Sequence, residues 1–333
     1  MRPKSPSQKI PFSRAAGLLP IINYFEKQGL PVQKYLRQAG IGDSIAATLE
    51  KPIPKSLQWK FVTAACDDEN IDHIGVLVGS EASLEELGEF GEFLLGAGTV
   101  GEYLTQGCQF INTMSSGEYY WLVEELDQIR FCVSVSGLQE NHTIQNYIYI
   151  VLLTINTIRR ATSESWCPTE LNVPAMKACT AAKLAAYLPG TEIARNGAYA
   201  SFFIPSVFLE KRLALRPAPS NVPQESLPAD FKSSIIELIR IQIFTKRPGL
   251  QYAVQLSGTS SRTFQRKLRR LGVTYTELVL EARISIAKQW LENGDISVTD
   301  ISKALGYRSP ANFSRAFRGL TDQSPRDYRH RSN

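Results

Sequence analysis

Two stretches near the C-terminal end repeat each other at a constant offset of 49 residues, and this repeat constrains the fold more than any other feature. Leu256 aligns with Leu305, Ser260 with Ser309, Phe264 with Phe313, Arg266 with Arg315 and Leu271 with Leu320. In the second copy Ile301 and Leu305 sit four apart and share one face of a short helix. Gly306 follows, at the place where a left-handed residue closes a helix. Ser309 and Pro310 then supply an N-cap and a first-turn residue, which together set the start of a second helix. Along it Phe313, Ala316, Phe317 and Leu320 recur at helical spacing and predict an inward face, while Ala311, Asn312, Arg315 and Arg318 predict an outward one. Each copy therefore reads as a helix, a tight turn and a second helix with guanidinium or amide groups outside. Those are the side chains that read base edges in a major groove. A single match of this kind is weak evidence, and a tandem pair is far more specific.

Charge follows the same division. Residues 231–333 hold 18 Lys and Arg against 8 Asp and Glu, and the remainder holds 19 against 24. A basic region joined to a mildly acidic one predicts that only the C-terminal part meets a polyanion. The five cysteines, Cys66, Cys108, Cys132, Cys167 and Cys179, are odd in number and show no C-x-x-C spacing. His73, His142 and His330 are dispersed. Neither a disulfide framework nor a metal site is expected, nor any cofactor, and no catalytic constellation is visible. The first nine residues are basic but lack the apolar core of a signal peptide, so a reduced, cytoplasmic location is expected.

In chain order, residues 1–11 read as a loose tail. Leu18, Ile21, Ile22 and Phe25 form one helical stripe, closed by Gly29 and Pro31. A short helix over Val32 to Ala39 follows, then a break at Pro52-Ile53-Pro54 and helical pieces over 57–66 and 71–78. Gly96, Gly98 and Gly101 match the spacing of a dinucleotide-binding loop, but the preceding segment has helical rather than strand periodicity. The glycines are therefore expected to form a helix-to-helix turn. Residues 119–123 and 129–135 predict an antiparallel pair, with 124–128 between them. A long buried helix is expected from His142 to Arg160, strands over 169–173 and 198–204, and an Ala-rich helix over 175–188. Arg159 and Arg160, at the end of the buried helix, could meet an anion or simply sit at a helix C-terminus, where cations are favoured. Residues 216–228 carry four prolines and predict an extended linker.

The C-terminal region opens with a helix from Phe231 to Lys246, with Ile235, Leu238, Ile239 and Gln242 along one side. Thr274 and Glu277 form a capping box that starts a 20-residue helix ending near Asn293. At about 1.5 Å per residue it spans about 30 Å, close to the roughly 34 Å between successive major-groove openings on one side of B-DNA. Ser297 and Asp300 start the next helix in the same way, and Ser324-Pro325 a last one.

These residues resemble the DNA-binding domain of the AraC/XylS family of bacterial transcription regulators. The resemblance rests on 259–268, on Arg283-Ile-Ser-Ile-Ala, on 301–318 and on 323–329, with Asp322 standing where the family usually has glycine. It implies that Arg262, Gln265 and Arg266 in the first unit, and Ala311, Asn312 and Arg315 in the second, face bases. It implies that Ser260, Lys267, Arg269, Ser309 and Arg318 hold phosphates. Less specifically, the N-terminal part resembles the effector domain of AraC-type regulators of the ornithine-utilisation and quorum-sensing kind, not a cupin barrel. Such a domain is expected to bind a small molecule, to dimerise, or both.

The expected architecture is an α+β domain over 1–215 with a small antiparallel sheet among helices, a Pro-rich linker over 216–230, and an all-α DNA-binding domain over 231–333. Within the last, helix-turn-helix units over about 250–271 and 298–320 flank a linker helix over 274–293. The expected function is sequence-specific regulation of transcription, read as activation, with promoter DNA, RNA polymerase and a small effector as partners. The alternatives are an effector-independent DNA binder and an enzyme with an accessory DNA-binding domain.

Overall fold

The computed structural model describes residues 10–42, 49–213, 227–245, 248–292 and 296–332. They divide into two compact units, residues 11–227 and 228–333. The expected Pro-rich linker falls largely on 214–226, outside the described residues.

In the first unit, β1 (Phe12–Arg14) pairs antiparallel with β2 (Pro52–Pro54), Phe12 opposite Pro54. The Pro-Ile-Pro stretch is thus a strand rather than a break. Proline lacks an N–H but still fits the rim of a two-stranded ladder. Helices α1 (Leu19–Lys27), α2 (Val32–Ala39) and α3 (Lys55–Glu69) follow, with Gly40 in the left-handed conformation that closes α2. Then come α4 (Ile74–Glu81), α5 (Gly88–Leu95) and α6 (Val100–Met114). Gly96 and Gly98 form a turn between α5 and α6, and Gly101 lies in the first turn of α6. Gly98 donates to the Glu102 carboxylate at 2.7 Å, and Gly101 to the Leu209 carbonyl at 3.0 Å.

The second sheet has five strands in the order β3-β4-β7-β5-β6: β3 (Glu118–Glu125), β4 (Gln128–Val135), β5 (Glu170–Asn172), β6 (Glu192–Ala194) and β7 (Ala200–Pro205). It is mixed rather than wholly antiparallel, because β5 and β6 run parallel. The β3–β4 hairpin is also tighter than expected. Glu125 pairs with Gln128, so only Leu126 and Asp127 turn the chain, with Leu126 at φ 49°. The long helix α7 (Glu140–Arg159) is buried over most of its length and packs on α4, and α8 (Ala178–Tyr187) completes the unit. Arg160 forks onto Glu85 with N–O distances of 3.0 to 3.1 Å. Burial pushes the Glu85 carboxyl up, but the Arg160 guanidinium together with the Ser83 hydroxyl and the Glu85 backbone amide outweighs it and brings it down to about 2. Arg159 donates to the Trp166 carbonyl at 2.7 Å. Both arginines therefore serve the fold.

The second unit is all helical: α9 (Phe231–Thr245), α10 (Leu250–Leu256), α11 (Ser261–Arg270), α12 (Tyr275–Glu292), α13 (Val298–Ala304), α14 (Pro310–Thr321) and α15 (Pro325–Ser332). The starts are cut by local chemistry. Thr274 and Glu277 exchange hydrogen bonds at 2.7 and 3.2 Å, and the Ser297 and Ser324 hydroxyls cap α13 and α15. Ile235, Leu238, Ile239 and Gln242 of α9 are all fully buried, and α9 packs along α12. Leu320 is 51% exposed and Leu271 46%. The inward face expected to include both ends one turn earlier, because each lies at a helix end beyond the packed core.

Asp322 closes α14 in the left-handed region, at φ 58°. A side chain there costs about 1 kcal/mol that glycine avoids. Asp322→Gly should raise the stability of this unit by about 0.5–1 kcal/mol, read as a small upward shift in its thermal midpoint. A lower midpoint would mean that the Asp322 side chain makes a compensating interaction.

Candidate functional site

The exposed faces of α11 and α14 follow from which residues each helix buries. In α11 Phe264 and Leu268 lie one turn apart and turn inward, and the Phe264 ring meets Phe231 edge-on at 5.5 Å. That leaves Arg262, Gln265, Arg266 and Arg269, at i, i+3, i+4 and i+7, exposed along the opposite side. In α14 Phe313 and Phe317 are fully buried, and Ala311, Asn312, Arg315 and Arg318 are exposed. The 49-residue offset carries Arg262, Arg266 and Arg269 onto Ala311, Arg315 and Arg318, so the two helices present the same face. Each is capped by a serine: Ser260 accepts from the Thr263 amide and Ser309 from the Asn312 amide, both at 3.3 Å.

Lys267 stands apart from this set. Its ammonium lies 4.6 Å from the centre of the Phe231 ring, at the position that corresponds to the inward-leaning Ala316. Burial, with the Arg266 charge beside it, pushes its pKa down. It sits on the flank of α11, away from the outer face that carries Arg269. Conversely, Arg308 is exposed immediately before the N-cap of α14 and was not singled out from sequence. Its position one residue ahead of an N-cap serine was the available signal.

The second helix pair is seated on α12. Ile284, Ile286, Ala287 and Leu291 of α12 form one buried cluster with Ile301, Leu305, Phe313 and Phe317. The Arg283 guanidinium lies 5.2 Å from the Tyr307 ring, which in turn meets Phe313 at 5.4 Å. The turn between α13 and α14, with Gly306 at φ 76°, is thereby fixed to the helix before it. The described part of α12 has 18 residues, or about 27 Å at about 1.5 Å per residue. Residues 293–295, the expected end of this helix, lie outside the described residues.

The first unit contains a pocket walled mainly by α5, α6, α7, β3 and β4. Its apolar wall includes Leu87, Phe90, Leu94, Ile111, Met114 and Phe131. Its polar wall is built on a buried ion pair. The Lys55 ammonium donates to Glu118 Oε1, which also accepts from Asn146 Nδ2 at 2.9 Å, while Glu118 Oε2 accepts from the Tyr120 hydroxyl at 2.8 Å. Burial pushes the Glu118 carboxyl up, but the Lys55 charge and these hydrogen bonds outweigh it and hold it below the usual carboxylate range. Elsewhere in this unit burial pushes the thiols of Cys66 and Cys108 up to about 12 and that of Cys132 to about 11, so all three are neutral thiols at neutral pH. No group of three or more His, Cys, Asp or Glu able to hold a metal occurs among the described residues. No described helix is long and apolar enough to cross a membrane.

A helix pair seated on α12 with an exposed basic face is the geometry of a helix-turn-helix DNA-binding domain. A family model described as a helix-turn-helix domain matches residues 254–331. The ornithine utilization regulator of Pseudomonas aeruginosa is 32% identical over 136 residues, 38% of this chain and 40% of that protein. The HTH-type transcriptional regulator VqsM of the same organism is 37% identical over 95 residues, 28% of this chain and 29% of its own length. Over a longer stretch, the HTH-type transcriptional regulator Rv1395 of Mycobacterium tuberculosis is 23% identical over 273 residues, 78% of each chain. The chain spans less than half the length of the first two relatives. The C-terminal domain belongs to the AraC-type helix-turn-helix family. The matched relatives are transcription regulators, which supports a regulator rather than an enzyme.

Proposed function

We propose that the chain is a transcription activator that reads a promoter through two tandem helix-turn-helix units, α10–α11 and α13–α14, set in successive major grooves by α12. On this reading residues 231–333 are the DNA-binding domain, 216–230 the linker and 1–215 the effector domain, which also pairs two copies. Arg262, Gln265, Arg266, Ala311, Asn312 and Arg315 face bases, Ser260, Arg269, Ser309 and Arg318 hold phosphates, and Lys267 reaches a phosphate only from the flank of α11, beside the Phe231 ring. RNA polymerase, recruited at the promoter in the cytoplasm, and a small molecule held by the first unit complete the partners. The observation that carries the reading is the repeated exposed face: the same helical positions of α11 and α14 carry arginine outward while their phenylalanines are buried.

The test is binding of the purified full chain to promoter fragments and to scrambled DNA across a salt series. Each neutralised phosphate contributes a slope of about −0.9 to log K against log salt. Arg269→Ala and Arg318→Ala should each flatten that slope by about 1 and weaken specific and scrambled DNA alike. Equal affinity for promoter and scrambled DNA would favour an unspecific binder, and an unchanged slope in both variants would remove these arginines from the interface.

A further inference from the structure

The pocket of the first unit is built to stay open. Gly107 lies in the middle of α6, is buried and lines the pocket, one turn from Tyr103, Leu104 and Ile111, which line it too. A Cβ added at Gly107 would meet nothing within 4 Å. Glycine in a helix interior costs stability relative to alanine, and here no neighbour forbids a side chain. The space is therefore not a by-product of tight packing. By contrast Gly75 and Gly91, also helical, face backbone atoms at 2.4 and 1.8 Å from such a Cβ.

The polar wall states what the space can take. The Lys55 and Glu118 charges cancel, and all three donors to Glu118 come from the protein. Two further hydroxyls on the pocket wall, Tyr149 Oη and Ser115 Oγ, are buried without a hydrogen-bond partner. Both residues line the same pocket as Lys55, Glu118 and Asn146. A buried hydroxyl left unpaired is costly. A third charge placed next to a neutralised pair would be costlier still, because nothing remains to balance it.

We infer that this pocket binds an uncharged, largely apolar small molecule with a single hydrogen-bonding end, a carbonyl or hydroxyl, seated on Tyr149 and Ser115. The inference rests on the reading of the first unit as an effector domain only for its consequence, not for the binding itself.

The experiment titrates the full chain with methyl octyl ketone, decanoate and decylammonium, followed by calorimetry and thermal shift. Methyl octyl ketone should bind and raise the thermal midpoint, and both ions should bind about tenfold or more weakly. Gly107→Leu should abolish ketone binding while its own midpoint stays at or above that of the parent. Tyr149→Phe should weaken ketone binding about tenfold without lowering stability, because it deletes an unpartnered hydroxyl. Preferential binding of either ion, no binding of any of the three probes, or ketone binding indifferent to Gly107→Leu would each overturn the inference. Promoter affinity measured with and without the ketone is a separate readout. Binding that leaves promoter affinity unchanged would sink the effector reading and keep the ligand class.

Discussion

Replacing Arg266 and Arg315 together by alanine leaves the C-terminal unit folded and weakens promoter binding by about 2–6 kcal/mol, or roughly 30-fold to 10⁴-fold. Both side chains are exposed on the outer faces of α11 and α14, so no packing is lost. An arginine that bonds a guanine in two places contributes about 1–3 kcal/mol of discrimination, and two sites on separate helices add. The loss should fall on promoter DNA far more than on scrambled DNA, unlike that of Arg269→Ala and Arg318→Ala. Competition binding on the two DNAs, with circular dichroism to verify the fold, checks it. Intact promoter selectivity in a folded double variant would refute the two-helix reading outright.

Lys55→Met destabilises the N-terminal unit by about 3–5 kcal/mol, and adding Glu118→Leu restores most of it. Lys55 is 2% exposed and Glu118 6%, so removing the ammonium strands a carboxylate out of water. Replacing both partners removes the two desolvation costs together. The pH dependence has a defined sign. In the parent the Glu118 carboxyl is held below its ordinary value. The stability it contributes is therefore present above the unfolded value, about 4.3, and is lost as pH falls through the lower folded value. In Lys55→Met only the Asn146 and Tyr120 hydrogen bonds still oppose burial, which favours the protonated acid, so the gap between parent and variant should narrow on acidification. Thermal melts of parent, single and double variants between neutral pH and about pH 4 measure this. A single variant as stable as the parent would mean that water reaches the pair.

Much of the C-terminal domain was legible from sequence because its punctuation is local. Thr274 with Glu277, Ser297 with Asp300 and Ser309 with Pro310 each act within one helical turn, and each starts the helix where expected. The outward arginines were legible for the same reason, since burial of Phe264 and Phe313 leaves them only one direction. Lys267 was not, because its direction depends on Phe231, which lies far back in the chain at the start of α9. In the N-terminal unit helix α7 announced itself by being apolar nearly all round, whereas β6 and the β1–β2 ladder did not. Three-residue strands carry too little alternation to stand out, and Pro52-Ile53-Pro54 reads locally as a break.

By itself the sequence determined the capped starts of the C-terminal helices, the repeated basic face and the division of charge between the two parts, all set by neighbours within a turn or by composition. Only the tertiary structure decided the strand order with its parallel β5–β6 pair, the seating of the second helix pair on α12, and the pocket beside Lys55 and Glu118. Those two residues are 63 apart in the chain. Pairing across such distances is chosen by how well apolar surface is buried and charge compensated in the whole fold, which no local pattern encodes.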